Sequence, residues 1–258
     1  MPWADYVRHG TFTSLMEEVA YSEMYEQEDR HWWFRGRRDV IRALLSKAAL
    51  SSRPRLLDAG CGTGRNLVEF GDSATASGVD PSPDAVEFCR ERGLQNVQCA
   101  SLESLPFEPG MFDLLLACDV LEHVVDDSLA LRELYRVAAE GAYLVITVPA
   151  YQWMWSEHDV QLHHLRRYTL RALSLTVKGS GWSLLHTTYF NSLLLPFVAG
   201  ARIVSRGTSR RGHTDLDRTP ETVNGALALP FKLEAALVRR GARFPAGVSI
   251  GMLCMKPA

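Results

Sequence analysis

Residues 58–64, with the sequence DAGCGTG, combine an acidic side chain with three closely spaced glycines. Glycine lets the backbone turn sharply and lets a ligand approach where a Cβ would otherwise stand. A second acidic residue, Asp80, follows 22 positions after Asp58, and a carboxylate at this spacing can accept hydrogen bonds from ribose hydroxyls. The two features together predict a nucleotide site. NAD is the less favoured ligand, because Arg65 stands where a nicotinamide loop has its third glycine.

An aromatic and basic segment, residues 31–38 (HWWFRGRR), precedes this loop. Aromatic side chains exclude water and can face a cation, and a guanidinium binds a carboxylate through two parallel hydrogen bonds. The segment is therefore either the lid of a ligand site, a plug in the core with solvated arginines, or a nucleic-acid patch. The formal net charge of −2 argues against nucleic acid.

A second cluster of polar and aromatic side chains occupies residues 151–168 (YQWMWSEHDVQLHHLRRY), directly after a predicted strand. Imidazoles titrate near neutral pH and can remove a proton from a hydroxyl or an ammonium group. Of the three histidines here, we assign candidate catalytic roles to His158 and His164, with His163 as a further candidate. The alternative is that all three are structural or solvated. No triad of carboxylates suited to a metal ion is evident, so we expect no metal-assisted mechanism.

Alternating strands and helices between about residues 54 and 149 must position these segments. This alternation predicts an α/β fold with a parallel sheet and helices on both faces. Residues 12–50 are predicted to be mostly helical and to end at Pro54, and Ser82 and Thr169 are predicted helix caps. The segments WSLLHTTYF and GVSIGMLCMKP are predicted as the sixth and seventh strands, and we expect these late strands to join the sheet edge antiparallel.

The acidic residue followed by G-x-G-x-G resembles the class I S-adenosylmethionine-dependent methyltransferases. The resemblance covers about residues 54–150 and includes the segments GVDPSPDAVEFCRERG, SLESLPFEPGMFDLLLACDVLEHV and GAYLVITVP. It implies S-adenosylmethionine as the cofactor and a Rossmann-like, seven-stranded, mostly parallel sheet. The implied organisation is an N-terminal helical lid over 1–52, a cofactor-binding core over 53–190, and a helical insertion plus the final strand of the same domain over 191–258.

The resemblance also implies which residues surround the cofactor. Asp80 would hold the ribose hydroxyls, and Ser101 stands where relatives have an aspartate for the adenine amino group. The two tryptophans followed by an arginine resemble the ubiquinone-type O-methyltransferases, in which the matching arginine grips the carboxylate of the methionine end. This implies Arg37 for that role, with Arg38 as the second choice. The full implied cofactor site is Arg37, Asp58, Ala59, Gly60, Gly62, Gly64, Asp80, Pro81, Ser101, Leu102, Cys118, Asp119 and His123.

The expected function is methyl transfer to a hydroxyl or amine of a small, amphiphilic metabolite. The alternative is an S-adenosylmethionine-binding protein that does not methylate and serves as a scaffold or as the catalyst of another reaction. The expected partner is a small-molecule acceptor and not nucleic acid, and the chain is expected to be a monomer or a homodimer.

The apolar residues 191–204 (NSLLLPFVAGARIV) are too few to span a bilayer. They could form a lid, a dimer surface, a core segment, or a contact with a membrane or a lipid-linked substrate. The five cysteines are odd in number and widely spaced, which is typical of reduced thiols in a cytoplasmic protein.

Overall fold

A seven-stranded sheet in the order β3-β2-β1-β4-β5-β7-β6 forms the centre of the computed structural model, which describes residues 21–205 and 220–257. Every neighbouring pair is parallel except the two pairs that β7 makes. The predicted α/β fold with a mostly parallel sheet is confirmed. The strands are β1 (Arg55–Ala59), β2 (Thr75–Asp80), β3 (Val97–Cys99), β4 (Phe112–Cys118), β5 (Ala138–Pro149), β6 (Ser183–Phe190) and β7 (Ser249–Met255).

The helices begin and end close to the predicted signals. Ser82 caps α4 by accepting a hydrogen bond from the Ala85 amide, and Thr169 caps α7 in the same way. The predicted helical stop at Pro54 is wrong, because α2 ends at Leu45; residues 12–20 lie outside the described residues. The helices are α1 (21–27), α2 (Trp32–Leu45), α3 (Arg65–Gly71), α4 (Pro83–Glu91), α5 (Asp127–Val137), α6 (Glu157–Gln161), α7 (Leu170–Gly179), α8 (Leu195–Ser205) and α9 (Glu221–Arg239).

Alternate residues of the central strands point to opposite faces of the sheet, and each face has its own hydrophobic cluster. Leu57 and Leu115 belong to the cluster that contains the buried side chains of α5 and α7. Their neighbours Leu56 and Leu114 belong to the cluster that contains the buried side chains of α2 and α9. The strands are therefore covered on both faces, which explains their nearly continuous apolar sequences.

The two late strands join the sheet antiparallel, as expected, but the last strand, β7, does not lie at its edge. Strand β7 pairs with β5 from Tyr143↔Met255 to Pro149↔Ser249, and β6 takes the edge. The side chains of Ile250, Met252 and Leu253 are fully buried. A strand this apolar is more stable between two neighbours than at an exposed edge.

The carboxyl ends of the parallel strands meet at one edge of the sheet, where the chain order reverses between β1 and β4. This is the position at which open α/β sheets bind ligands. Among residues 21–205 and 220–257, four other than glycine adopt left-handed φ values of 54–59°, namely Asp119, Tyr151, His163 and Asn191. Three of them directly or almost directly follow β4, β5 and β6. Such strained backbone persists mainly where function requires it.

The contact between α2 and α9 gives a test of how tightly α2 is held against the rest of the fold. A Cβ on Gly36 would lie 2.3 Å from Cγ of Phe231 in α9, whereas a Cβ on Gly225 would meet no atom within 4 Å. We expect Gly36→Ala to lower the free energy of unfolding by roughly 1–3 kcal/mol through overpacking. Gly225→Ala should leave it unchanged or raise it by up to about 1 kcal/mol, because alanine favours helix. Urea unfolding of both variants measures this, and equal effects would contradict the packing described.

Candidate active site

A cavity of about 710 Å³ lies at the carboxyl edge of the sheet. Helices α1 and α2 form one wall, the glycine loop and the end of β4 form its floor, and α6 and α8 form the other wall. Both groups of residues singled out in the sequence meet here. The predicted site residues that line the cavity are Arg37, Gly60, Gly62, Asp80, Pro81, Cys118, Asp119, His123, His158 and His164.

Five predicted cofactor residues do not line this cavity. Asp58 and Ala59 are fully buried beneath the loop, and Gly64 begins α3. Leu102 is buried in the hydrophobic cluster that also contains Val79. Ser101 is exposed, and its hydroxyl accepts a hydrogen bond from the Glu103 amide. Of the residues predicted near the adenine, Ser101 and Leu102 therefore lie outside the cavity lining, whereas Pro81 belongs to it.

The glycine loop needs glycine for both conformation and space. Gly60, Gly62 and Gly64 have φ values of 76°, 52° and 83°, in the region that other residues seldom adopt. A Cβ on Gly60 would lie 2.3 Å from the side chain of Val120. The Gly62 amide donates to Oδ2 of Asp80 over 2.9 Å. This hydrogen bond joins the loop to the acidic residue at the end of β2.

Asp58 carries the most perturbed carboxyl beneath the loop. Both of its oxygens are buried, and a contact with the Asn66 side chain partly stabilises the charged form. Burial raises its pKa to about 7, and the nearby Arg37 guanidinium only partly opposes this effect. A positively charged ligand group brought to the loop would stabilise the ionised form of this carboxyl.

Arg37 connects α2 to the floor of the cavity. Its Nη1 donates to Oδ2 of Asp119 over 2.6 Å, and its guanidinium lies 5.1 Å from the ring centroid of Trp33. The hydroxyl of Thr147 donates to the same Asp119 oxygen. Arg38, the second choice for the cofactor carboxylate, is buried but does not line the cavity. Of the two arginines, Arg37 is the one that lines the cavity.

Helix α1 covers the glycine loop. The Tyr21 hydroxyl donates to Oδ1 of Asp80 over 3.3 Å. The buried carboxylate of Glu28, just after α1, accepts hydrogen bonds from the Thr63 hydroxyl and the Arg92 guanidinium. These contacts hold the N-terminal segment against the loop.

The histidines of the cavity form one group with an acidic partner. Nδ1 of His164 lies 2.8 Å from Oδ1 of Asp159, and the His164 ring meets the His123 ring edge to face at 4.7 Å. Desolvation by the surrounding protein and the neighbouring His164 lower the pKa of His123 to about 3, so it is neutral near pH 7. His158 lies on α6, with its ring centroid 6.2 Å from that of His164.

Helix α8 closes the cavity from the side of the chain that follows β6. Val198 lines the cavity, and the Arg202 guanidinium donates to the Ser156 hydroxyl over 2.6 Å. Phe197 of the same helix leaves 75% of its surface exposed. None of the helices in 21–205 and 220–257 has the length and hydropathy that crossing a membrane requires.

Sequence reasoning did not single out several residues that shape this site. Asp159 is fully buried and joins His164 to Arg167 and Arg202, and these contacts hold its pKa well below the usual range despite its burial. Glu28 lies outside every motif. The capping box of Ser156 and Asp159, three residues apart, is the one local signal that could have pointed to Asp159.

Cys118 lines the cavity, and burial raises the pKa of its thiol far above the usual range, so it stays protonated.

Residues 57–146, which run from β1 into β5, match the family described as "Methyltransferase domain". This match covers part of the chain. Together with the sheet order and the glycine loop, it shows that these residues are similar to a class I S-adenosylmethionine-dependent methyltransferase domain. The cofactor of this class is S-adenosylmethionine, as predicted.

Curated relatives are similar to the methyltransferase domain over part of their length. Norajmaline N-methyltransferase of Rauvolfia serpentina is 34% identical over 106 residues, which are 37% of this chain and 36% of that protein. A ubiquinone/menaquinone biosynthesis C-methyltransferase of Geotalea daltonii is 31% identical over 129 residues, 46% of this chain and 52% of that protein. The chain thus spans about a third to a half of the length of these relatives.

Solved structures share the fold at lower sequence identity. The [4+2]-cyclase SpnF matches with a TM-score of 0.56 and 20% identity, over 84% of this chain and 79% of that one. This likeness concerns the fold of the methyltransferase domain.

The raised pKa of Asp58 predicts a distinctive pH dependence of stability. The folded domain keeps this proton between about pH 4 and 7, whereas the unfolded chain releases it, so the residue's contribution to stability falls as pH rises through this window. Asp58→Asn removes this titration. Between pH 5 and pH 7, the free energy of unfolding of the variant should therefore rise by about 2–3 kcal/mol relative to that of the original chain.

Urea unfolding at pH 5, 6 and 7 measures this difference. Asp113→Asn is the matched control, because Arg55 lowers the pKa of Asp113 and its titration is complete below pH 5. The free energy of unfolding of this control should change with pH in the same way as that of the original chain. Parallel curves for Asp58→Asn would show that Asp58 has an ordinary pKa.

Proposed function

We propose that the protein is an enzyme that transfers a methyl group from S-adenosylmethionine to a hydroxyl or amine of a small, amphiphilic metabolite. The observation that carries this proposal is the continuity of the cavity. The glycine loop and Asp80 line one part of it, and the histidines of 151–168 line another. A cofactor held at the loop and an acceptor held at the histidines would therefore share one enclosed space.

The residues around the loop fit this cofactor. The carboxylate of Asp80 lies in the cavity wall, held by the Gly62 and Ser82 amides, and can accept further hydrogen bonds from ribose hydroxyls. The guanidinium of Arg37 faces the cavity and can bind a carboxylate at the methionine end. S-adenosylmethionine supplies a methyl group activated by a positively charged sulfur. Trp33 and Phe34 line the same wall, exclude water and favour a nearby cation.

The acceptor would lie against residues 151–168 and the N-terminal helices. Methyl transfer is a displacement at carbon, so the enzyme's main task is to align the acceptor atom with the methyl group. His158 and His164 face the cavity and can remove a proton from the acceptor. The Asp159 carboxylate fixes the orientation of the His164 ring, which directs the other ring nitrogen away from Asp159.

The mixed lining of the cavity supports an amphiphilic acceptor. Trp32, Leu162 and Val198 offer apolar surface, whereas Asn191 and Ser249 offer polar groups. One of the two relatives named above is an N-methyltransferase and the other is a C-methyltransferase, so they methylate different atoms. They support methyl transfer as the reaction and leave the acceptor atom to be found by experiment.

The second candidate function is S-adenosylmethionine binding without methyl transfer. The specific support for it is the structural neighbour described as a [4+2]-cyclase, which has the same fold. The discriminating observation is the fate of a labelled methyl group. A labelled product supports the enzyme, and cofactor binding with no product from a broad set of phenols, alcohols and amines supports the alternative.

The cofactor site is tested by comparing two arginines of α2. Arg37 is buried at the cavity wall, whereas Arg35 is exposed. We expect Arg37→Ala to weaken binding of S-adenosylhomocysteine at least tenfold in calorimetry, because it removes a charged hydrogen-bond donor and leaves Asp119 without its ion pair. Arg35→Ala should bind as the original chain does. If both variants lost little affinity, and by the same amount, Arg37 would not be the residue that binds the carboxylate of the cofactor.

The proton-removing role is tested once an acceptor is found. Loss of a general base typically lowers the rate by about 10²–10⁴. We expect such a loss in single-turnover methyl transfer for His158→Ala, for His164→Ala or for both, with cofactor affinity nearly unchanged. Glu157→Gln, an exposed neighbour on α6, is the matched control. Wild-type rates for both histidine variants across pH 6–9 would exclude these residues as bases.

A further inference from the structure

Three potential metal ligands meet in the wall of the cavity. One carboxylate oxygen of Glu122 and one ring nitrogen from each of His123 and His164 all lie within 4.8 Å of one another. Glu122 and His123 are neighbours in the loop after β4, and His164 comes from the segment between β5 and β6. The backbone joins the two segments directly, since the Leu165 amide donates to the Glu122 carbonyl over 2.7 Å.

Glu122 differs from the other acidic groups of this wall. Asp119 is paired with Arg37, and Asp159 is paired with Arg167. Glu122 is 1% exposed, and its Oε2 has no hydrogen-bond partner in the described part of the chain. A buried carboxylate oxygen without a partner is costly unless a cation or a proton joins it.

The partner of His164 provides a third, independent observation. Nδ1 of His164 contacts the buried carboxylate of Asp159 at 2.8 Å, which leaves Nε2 as the nitrogen able to bind an ion. Histidine ligands of metals almost always make this second contact, because it fixes the ring and increases its basicity. The arrangement of carboxylate, histidine and open ligand position is therefore present before any ion binds.

We propose that Glu122, His123 and His164 bind one divalent transition-metal ion of the zinc class, with Asp159 holding His164 in place. Two histidines and one glutamate form a ligand set of catalytic zinc sites, in which a further position stays open. Ligand atoms about 2.0–2.2 Å from a tetrahedral ion lie about 3.3–3.6 Å apart, so side-chain movements of about an ångström close the site. The proposal departs from the absence of a metal expected from the sequence.

The open position would face the cavity in which the acceptor is proposed to lie. A hydroxyl oxygen bound there would lose its proton more readily, because a metal ion lowers the pKa of a bound oxygen. This role rests on the proposed function, and it makes a hydroxyl the favoured acceptor. It also gives His164 a different task from His158, since His164 would hold the ion and His158 would remain available to accept the proton. Binding of the ion itself requires neither the cofactor nor an acceptor.

Cobalt(II) titration of the full chain tests the site. The protein is prepared without an affinity tag, treated with a chelator and titrated with Co²⁺, whose visible absorption reports its ligands. We expect one equivalent to bind without a thiolate-to-cobalt band and to be displaced by Zn²⁺. His123→Ala, His164→Ala and Glu122→Gln should each weaken binding at least tenfold, and Asp159→Asn should weaken it by about 10–100-fold.

His163→Asn is the matched control for this experiment. His163 lines the same cavity and has a left-handed φ of 54°, which asparagine tolerates, but it is not one of the three ligands. It should bind Co²⁺ as the original chain does. The proposal is overturned if the original chain binds no Co²⁺, if His123→Ala and His164→Ala bind as tightly as it does, or if His163→Asn loses binding equally. Because the titration contains neither cofactor nor acceptor, a failure of the proposed methyl transfer leaves its result unaffected.

Discussion

The ion pair between Arg37 and Asp119 is the interaction on which the cavity depends most. It joins helix α2, near the N-terminus, to the residue that follows β4 at the centre of the sheet. Asp119 has a left-handed φ of 54°, and the contacts to Arg37 and Thr147 hold it in this conformation. Breaking a buried pair of this kind typically costs about 3–5 kcal/mol, because one charge is left without its partner. The Arg37 guanidinium also lies 5.1 Å from the ring centroid of Trp33, which lines the cavity.

Segments distant in sequence enclose this space around a fixed sheet edge. Helix α1 is held to the glycine loop by Tyr21 and Glu28, and helix α8 is held to the histidine segment by Arg202. The buried carboxylate of Asp159 contacts His164, Arg167 and Arg202, and the four side chains form one network. Networks of this kind orient side chains strongly, since each member restricts its neighbours. The site is therefore preorganised on both sides of the sheet edge.

Local patterns in the sequence were sufficient to predict the fold and the glycine loop. The glycines of 60–64 and the alternation of apolar strands with helices report on the backbone nearby, so they predicted β1, the loop and the sheet correctly. The position of β7 between β5 and β6 depends on packing between segments about a hundred residues apart, which no local pattern encodes. The same reason applies to the site. His164 was found by its residue type, whereas its pairing with Asp159 and its approach to Glu122 follow only from the folded chain.

Calorimetry on the original chain shows whether the cavity binds S-adenosylmethionine. Titrations with S-adenosylmethionine, S-adenosylhomocysteine and NAD compare the ligands under one set of conditions. The structure and the family predict saturable binding of the first two with a stoichiometry of about one, and no binding of NAD, because the cavity is built on a G-x-G-x-G loop with Arg65 at the place of the third nicotinamide-loop glycine. Binding of NAD without binding of S-adenosylmethionine or S-adenosylhomocysteine would contradict the account.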